Sequence, residues 1–356
     1  MPNPPREPAE TLPERLAASW PTKIWRDVHV LVAVSGGVDS MALLRLLLGL
    51  KHQAGGRGQL TAAHVNHQLR GEQSEADARW LAQQCQELEI PLEVLRADVT
   101  GLAKLQGDGL ERAARDERYR LLTEAAERIG ARYVAVGHHR DDQVETVLFR
   151  LLRGTGLLGL AGMQQQRALS TSVTLVRPQL EFSREELHGY LGKLGQDHRE
   201  DASNTNSHFA RNRLRNELLP LLREDFNAKV DQALLRTAQQ AGEAYTAIHS
   251  QAEQVLTQSQ TGQYQTDGAC ESGGFALLTG LLSTVETAVA IETLRIAWRN
   301  AGLPEQGMSD AWWRKLVQLA VRGEHSGQPK LPAQVNLPGN LLARYEGGRL
   351  SVWSVC

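Results

Sequence analysis

Residues 28–48, VHVLVAVSGGVDSMALLRLLL, decide how this chain is read. The apolar, β-branched run 28–34 predicts a buried strand, and Leu43, Leu44, Leu46 and Leu47 give the following helix an apolar face. Between them lies Ser35-Gly36-Gly37-Val38-Asp39-Ser40. Two glycines let the backbone tighten and approach a ligand, and the free amides and dipole of a helix opening there attract an anion. A phosphate is the natural guest. A Walker A loop would place a Lys before its Ser or Thr, and this turn has none. The amides and the hydroxyls of Ser35 and Ser40 must therefore do the holding, with Asp39 the candidate ligand for a Mg²⁺ accompanying a polyphosphate. The plain alternative is a structural turn with no nucleotide.

The 356 residues suffice for two domains, each with its own core. Nothing in the sequence approaches a transmembrane span, and the proline-containing start lacks the apolar core of a secretory signal. Cys85, Cys270 and Cys356 are widely spaced and form no CxxC, which argues against a disulfide scaffold or zinc site and fits a reducing cytoplasm. With a formal net charge of -2, a nucleic-acid partner would have to be held by local patches and shape.

Further strands are expected at 60–65, 92–95, 133–136 and 175–177, separated by helical stretches such as 74–88 and 110–129. This alternation predicts an α/β fold, a doubly wound parallel sheet of about five strands with right-handed crossovers. Ligands in such sheets sit beyond the carboxyl ends of the strands. SGGVDS ends the first strand, His64-Val65-Asn66-His67-Gln68-Leu69-Arg70 the second and Gly137-His138-His139-Arg140-Asp141-Asp142 the fourth, so one crevice would collect all three.

Asp142 and Glu145 fall on one face at the start of the next helix, where Asp142 as N-cap and Glu145 at N3 would make a capping box; a catalytic role can coexist with that one. The glycine-rich run 153–163 reads as a flexible loop or as a cover folded against the sheet. A helix over 208–222 carries Arg211, Arg213 and Arg215. Arg211 and Arg215 share a side and would clamp phosphate if it faced the crevice, the alternative being a solvated charged face.

Near 222–227 the character changes, and the apolar repeat from Val230 to Val255 predicts one long amphipathic helix. Domains are thus expected over 1–26 (tail and short helix), 27–222 (catalytic) and 223–356. The last is mainly helical, with helices over 283–300 and 310–321, a loop or weak hairpin at 262–274 and a small terminal β-element over 334–353. Trp312 and Trp313 are read as core rather than as base-stacking platforms.

The loop at 35–40 resembles the signature of the PP-loop, or N-type ATP pyrophosphatase, superfamily. Further runs follow in order: HVNHQLR (64–70), ERAARDERY (111–119), GHHRDDQVET (137–146), RGTGLLGLAGM (153–163), RPQLEFSREEL (177–187) and DASNTNSHFARNRLRNELLP (201–220). The series resembles that of the tRNA(Ile)-lysidine synthetases over about residues 28–222, and the remainder is similar to that family's first C-terminal domain. A further C-terminal domain found in some longer members is expected to be missing here.

The resemblance implies a ligase. ATP would adenylate the C2 oxygen of the wobble cytidine in the CAU anticodon of tRNA(Ile), and the side-chain amine of L-lysine would displace AMP to give lysidine. It implies that Ser35, Gly36, Gly37, Val38, Asp39, Ser40, His64, Asn66 and Arg70 hold ATP, with Mg²⁺ on Asp39. Asp39, His138, Asp142 and Glu145 are the expected catalytic groups. The lysine ammonium, with a side-chain pKa of about 10.4, must lose a proton. Asp142, Glu145 and His138 are expected to bind it and take that proton, and Arg115 to pair with the lysine carboxylate. Arg211, Arg213 and Arg215 are the expected tRNA contacts, and a homodimer is left open. A tRNA thiolase is disfavoured by the lack of a CxxC pair and an amidotransferase by the lack of a glutaminase domain. A non-enzymatic ATP-binding module would have no use for the polar clusters on the other strand ends, and a pure RNA-binding protein sits badly with the net charge.

Overall fold

Both faces of the first strand are buried in the computed structural model of the chain, which describes residues 10–66, 72–97, 108–199, 210–259, 274–321 and 333–355. The elements of its first part are α1 (Leu12–Ser19), α2 (Thr22–Trp25), β1 (His29–Ala33), α3 (Val38–Ala54), β2 (Leu60–Asn66), α4 (Glu72–Glu87), β3 (Leu92–Arg96) and α5 (Asp108–Arg128). They continue with β4 (Ala131–Ala135), α6 (Arg140–Leu152), α7 (Leu157–Leu160), β5 (Gln166–Ala168), β6 (Thr174–Val176) and α8 (Arg184–Leu194). The strands make one sheet in the order β3-β2-β1-β4-β6-β5, parallel throughout except for β5 against β6.

Val30 and Val32 pack on one face with Trp20, Trp25, the leucines of α3 and Leu187 and Leu191 of α8. Leu31, Ala63, Val134 and Leu175 pack on the other with Tyr119, Leu122, Ala125 and Ala126 of α5. This is the doubly wound sheet expected from the alternation, with six strands where about five were expected. The extra strand is the exposed β5, Gln166-Arg167-Ala168, held by backbone pairing to β6 without an apolar signal.

The chain builds β2 and β3 on one side of β1, then crosses to β4 on the other. The tips of β1 and β4 therefore flank the switch point where such sheets bind ligands. The glycine-rich run 153–163, read as irregular, contains the single helical turn α7 and is pinned to α6. The Gln143 amide donates to the carbonyls of Ala161 and Met163 and accepts from the Met163 N–H, while Arg150 donates to the carbonyls of Gly159 and Gly162.

The helix expected over 208–222 is not regular. It comprises α9 (Ala210–Arg213), a π-helical stretch over Leu214–Leu218, α10 (Leu219–Leu221) and a second π stretch over Leu222–Phe226. Pro220 offers no N–H and crowds the preceding turn, and the Leu219 N–H reaches back to the Leu214 carbonyl in the wider π register.

Two compact units divide after Gln239, within α11 (Val230–Ser259). The second contains α12 (Thr287–Asn300), α13 (Asp310–Val321) and a four-stranded antiparallel sheet of β7 (Gly274–Leu278), β8 (Ala333–Leu337), β9 (Leu341–Glu346) and β10 (Arg349–Ser354), ordered β7-β10-β9-β8. Its core includes Trp298 and Trp313, edge to face at 5.1 Å, while Trp312 packs partly buried at the margin. Two expectations shift: residue 274 opens a strand, and the helix expected from 283 begins at Thr287, after a 3₁₀ turn over Gly280–Ser283. Residues 262–273 lie outside the described set. No helix among the described residues is long and apolar enough to cross a membrane.

Candidate active site

The loop after β1 is closed by its own hydroxyls. Ser40 Oγ donates to the Gly37 carbonyl at 3.0 Å and accepts from the Ser35 N–H at 3.1 Å, and the two serine oxygens are 3.2 Å apart. Gly37 caps α3, whose first N–H groups lack helical acceptors and carry the positive end of the dipole. Gly36 has φ of +90°, and a Cβ there would come within 3.2 Å of the Trp80 ring. Its carbonyl accepts from the N–H of Arg199, whose guanidinium lies over that same ring. The serines therefore shape the loop, and the amides at the start of α3 are left to receive an anion.

Across the switch point, the chain leaving β4 turns through Gly137, His138 and His139 into α6. His139, not Asp142, is the N-cap: its N–H donates to Asp142 Oδ2 at 3.1 Å, which makes Asp142 the N3 residue and puts Glu145 one turn further in. The imidazole is 3 % exposed and wedged among carboxylates. Nε2 stands 3.5 Å from both Asp39 Oδ2 and Asp142 Oδ2, and Nδ1 3.6 Å from Asp141 Oδ2. Burial pulls its pKa down, but the bond to Asp39 and the charges of Asp142, Asp39 and Asp141 outweigh that and hold it above the ordinary value.

His138 behaves oppositely. Burial first, then the cations Arg177, Arg118, Arg115 and Arg211, hold it well below the ordinary value, so it is neutral. Arg177 Nε donates to its Nδ1 at 3.2 Å, which leaves the ring proton on Nε2. The proton-accepting role expected for His138 thus has no free lone pair behind it.

Glu145, 2 % exposed, is held by Arg215 through Nε at 2.5 Å and Nη2 at 3.0 Å, with Arg211 Nε at 3.5 Å. Arg215 also reaches Asp142 Oδ1 at 3.4 Å, and Arg211 donates to Thr146 Oγ1 at 3.0 Å. These two arginines do share a side, and it faces α6. Arg213 is exposed and pairs with Glu217.

A cavity of about 310 Å³ opens between the strand tips, lined among others by Ser35, Asp39, Ser40, Val65, Arg118 and His138. His64 and Asn66 point to the opposite face of β2: His64 Nδ1 bonds the Val34 carbonyl at 3.0 Å, and the Asn66 amide donates to the Ser74 carbonyl and Glu75. They brace the tips of β1 and β2 and do not line the cavity. Arg70 lies outside the described residues. Arg115 lies over the Tyr119 ring, also flanked by Arg118 and Arg167, and lines a separate hollow beside α5 and β5. No role for His139, Arg118, Arg177 or Gln179 follows from the sequence. Both HH and RPQ lie within the motif series, yet nothing in the letters says which histidine turns inward.

Asp39 Oδ1 is buried and has no hydrogen-bond partner among the described residues, the state of an oxygen that suits a hard cation. No group of three or more His, Cys, Asp or Glu side chains suited to a metal exists among the described residues. A Mg²⁺ held by Asp39 would draw its remaining ligands from phosphate oxygens and water, as this ion commonly does.

A lysine-free phosphate loop at the tip of β1, facing an acidic helix start across the switch point, defines a PP-loop protein, and residues 13–222 match the model of the PP-loop domain. The chain belongs to the tRNA(Ile)-lysidine synthase family. It is 40% identical over 231 residues to the tRNA(Ile)-lysidine synthase of Bacteroides thetaiotaomicron, covering 65% of this chain and 51% of that protein. Identity to the enzyme of that name from Geobacillus kaustophilus is 35% over 303 residues, 85% of this chain and 63% of that one. For Rhodopirellula baltica it is 32% over 339 residues, 85% and 83%. The chain thus spans between about half and two thirds of the length of the first two relatives. A U34-tRNA thiolase from Methanococcus maripaludis shares the fold, with a TM-score of 0.54 at 14% identity over 64% of this chain and 77% of that one.

Proposed function

We propose that this chain is a tRNA(Ile)-lysidine synthetase, joining L-lysine to C2 of the wobble cytidine of a CAU-anticodon tRNA(Ile) at the expense of ATP. The observation that carries this reading is the His139 bridge, whose Nε2 stands 3.5 Å from both Asp39 and Asp142 and so makes the phosphate loop and the acidic helix one site.

In the first step the cytosine O2 attacks the α-phosphorus, an O–P bond forms, and the bond to the β-phosphate breaks to release pyrophosphate. The amides opening α3 and the Arg118 guanidinium in the cavity wall oppose the charge that accumulates on phosphate oxygens. Bound Mg²⁺, held by Asp39, would neutralise part of that charge. In the second step the lysine amine attacks C2, the C2–O bond breaks and AMP departs. Asp142 is the more accessible of the two carboxylates and is proposed to meet the ammonium and take its proton. Glu145, clamped by Arg211 and Arg215, is proposed to fix that pair beside it. Arg115 is proposed for the lysine carboxylate, and tRNA contact is proposed for Arg213, exposed on the same segment, rather than for its inward-facing neighbours.

Cys85 speaks against the thiolase alternative: it is buried, and burial pushes its thiol up to about 11, so it forms no useful thiolate. A reducing cytoplasm is the compartment we propose. The decisive assay combines the protein with ATP, labelled lysine and a C34-bearing tRNA. Lysine should enter the RNA with one AMP and one pyrophosphate per label. Label entering without ATP, or pyrophosphate release with no label in RNA, would sink the reading.

A further inference from the structure

The turn after β6, Arg177-Pro178-Gln179, has no part in the chemistry above, yet its two polar side chains are buried in the middle of the site. Arg177 is 4 % exposed and Gln179 0 %. Arg177 spans two jobs, donating from Nη1 to the Gln164 carbonyl at 2.6 Å and from Nε to His138 Nδ1 at 3.2 Å. Gln179 Nε2 donates to the Asp39 carbonyl at 2.9 Å and to the Gly137 carbonyl at 3.0 Å.

The second pair of bonds joins the two strand tips. They already touch, since a Cβ on Gly137 would lie 3.1 Å from the carbonyl carbon and oxygen of Asp39 and from the Ser40 nitrogen. Two carbonyl oxygens brought this close repel each other unless donors stand between them, and one primary amide supplies both hydrogens. The orientation of the amide is fixed, because turning it over would aim Oε1 at two oxygens. In this orientation Oε1 is buried with no partner among the described residues, so the side chain is oriented at the expense of its own acceptor.

The first pair fixes a proton. A donor into Nδ1 puts the His138 hydrogen on Nε2, and His138 lines the cavity together with Ser35, Asp39, Ser40 and Arg118. Besides burial, the charges that hold its pKa down are Arg177 after β6, Arg118 and Arg115 on α5 and Arg211 on α9, while the carboxylate of Asp39 shares the cavity. A neutral N–H donor on this wall suits phosphate oxygens that gain charge.

We propose that Arg177 and Gln179 are positioning residues of the adenylation step: Arg177 keeps His138 as an Nε2–H donor facing the nucleotide cavity, and Gln179 sets the separation of the phosphate loop from the tip of β4. The inference rests on the proposed function, and its first test does not depend on activity.

In the full chain with ¹⁵N-histidine, the His138 signal, assigned by its loss in His138→Asn, should show a neutral Nε2–H ring from pH 7.5 down to 5.5. In Arg177→Met it should populate both tautomers and titrate closer to the ordinary histidine value of about 6.5, with burial and the remaining arginines still holding it below. A wild-type His138 that carries its proton on Nδ1, or titrates near that value, overturns the Arg177 arm. For pyrophosphate release with ATP and C34-bearing tRNA, Gln179→Leu should lower kcat roughly 100-fold, the cost typical of a small misplacement. The KM for ATP should change less than about 3-fold, because a shifted loop still meets the triphosphate while in-line geometry is lost. Gln179→Glu has the same shape without hydrogens to give and must show the same split, and a thermal transition within a few degrees of wild type certifies folding. An unchanged kcat in a folded Gln179→Glu protein, or a loss confined to KM, overturns the Gln179 arm. A wild-type chain that releases no pyrophosphate with RNA present would sink the proposed function instead, leaving the imidazole result to stand or fall by itself.

Discussion

Oδ2 of Asp39 and Nε2 of His139 stand 3.5 Å apart, although one belongs to the loop after β1 and the other to the loop after β4. Since the same nitrogen is 3.5 Å from Asp142, removing it leaves two carboxylates facing each other with no ring nitrogen between them. His139→Gln should lower ATP-dependent pyrophosphate release roughly 10- to 100-fold, the range for loss of a group that orients an active carboxylate. It should also raise the Mg²⁺ concentration giving half-maximal rate. A variant with wild-type rate and Mg²⁺ dependence would reduce the bridge to packing.

Asp39→Ala removes the buried Oδ1, which has no partner among the described residues, together with the Oδ2 contact to His139. Pyrophosphate release should fall to background while the thermal midpoint holds within a few degrees. Retained release would cancel the proposed metal role.

Glu145 presents a different balance. Its carboxylate is buried and paired with two arginines, and Glu145→Gln strands those charges, so a loss of about 3 kcal/mol in unfolding free energy is expected. The double variant Glu145→Gln with Arg215→Met should recover part of this, with a coupling of roughly 1–3 kcal/mol in the double-mutant cycle. In activity, lysine transfer from the adenylated RNA should suffer more than adenylate formation. Equal loss in both steps would return Glu145 to a purely structural role.

Legibility in the sequence followed burial. Runs such as LTAAHV, buried on both faces, announce their strands, whereas β5 is three exposed residues whose pairing leaves no pattern in the side chains. The phosphate loop was legible because two adjacent glycines between a strand and a helix have few other uses. His138 and His139 were not separable, because alternation ends with β4 and the turn decides which ring meets the arginines and which the aspartates. His64 and Asn66 were assigned to the cavity by their place at a strand end. The two-residue period of β2 carries them to the face away from the cavity, which Ala63 and Val65 line in their stead. The π stretches of 214–226 were invisible because an apolar helical spacing does not distinguish hydrogen-bond registers, and only Pro220 hinted at the break.

Gly137 tests the contact between the tips directly. A methyl there would meet the backbone of Asp39 and Ser40 at 3.1 Å, atoms that cannot rotate away as a flexible side chain could. Gly137→Ala should therefore push the phosphate loop from β4, with a stability loss of about 1–3 kcal/mol and a fall in pyrophosphate release of roughly 100-fold. Gly49 faces open space within α3, and Gly49→Ala should leave activity unchanged while stabilising the helix by about 0.5–1 kcal/mol. Equal behaviour of the two variants would show that the contact is slack.

The neutrality of His138 predicts how stability changes with acid. Burial and the arginines keep its folded pKa below the ordinary value, so between that folded pKa and about 6.5 the unfolded chain carries a proton that the folded one refuses. Stability must fall as pH drops through this window, by at most about 1.4 kcal/mol per pH unit for one proton, and His138 contributes no slope above it. His139 works in the opposite sense at higher pH. Its raised pKa gives stability that is complete below about 6.5 and fades as pH climbs through the folded value, so it adds no slope in the acid window. Denaturant unfolding of wild type and His138→Gln between pH 7 and pH 5 should show the variant losing less stability, by close to one proton's worth of slope. Parallel curves would mean that His138 accepts its proton in the folded state as readily as in the unfolded chain, and that Arg177 does not hold the ring neutral.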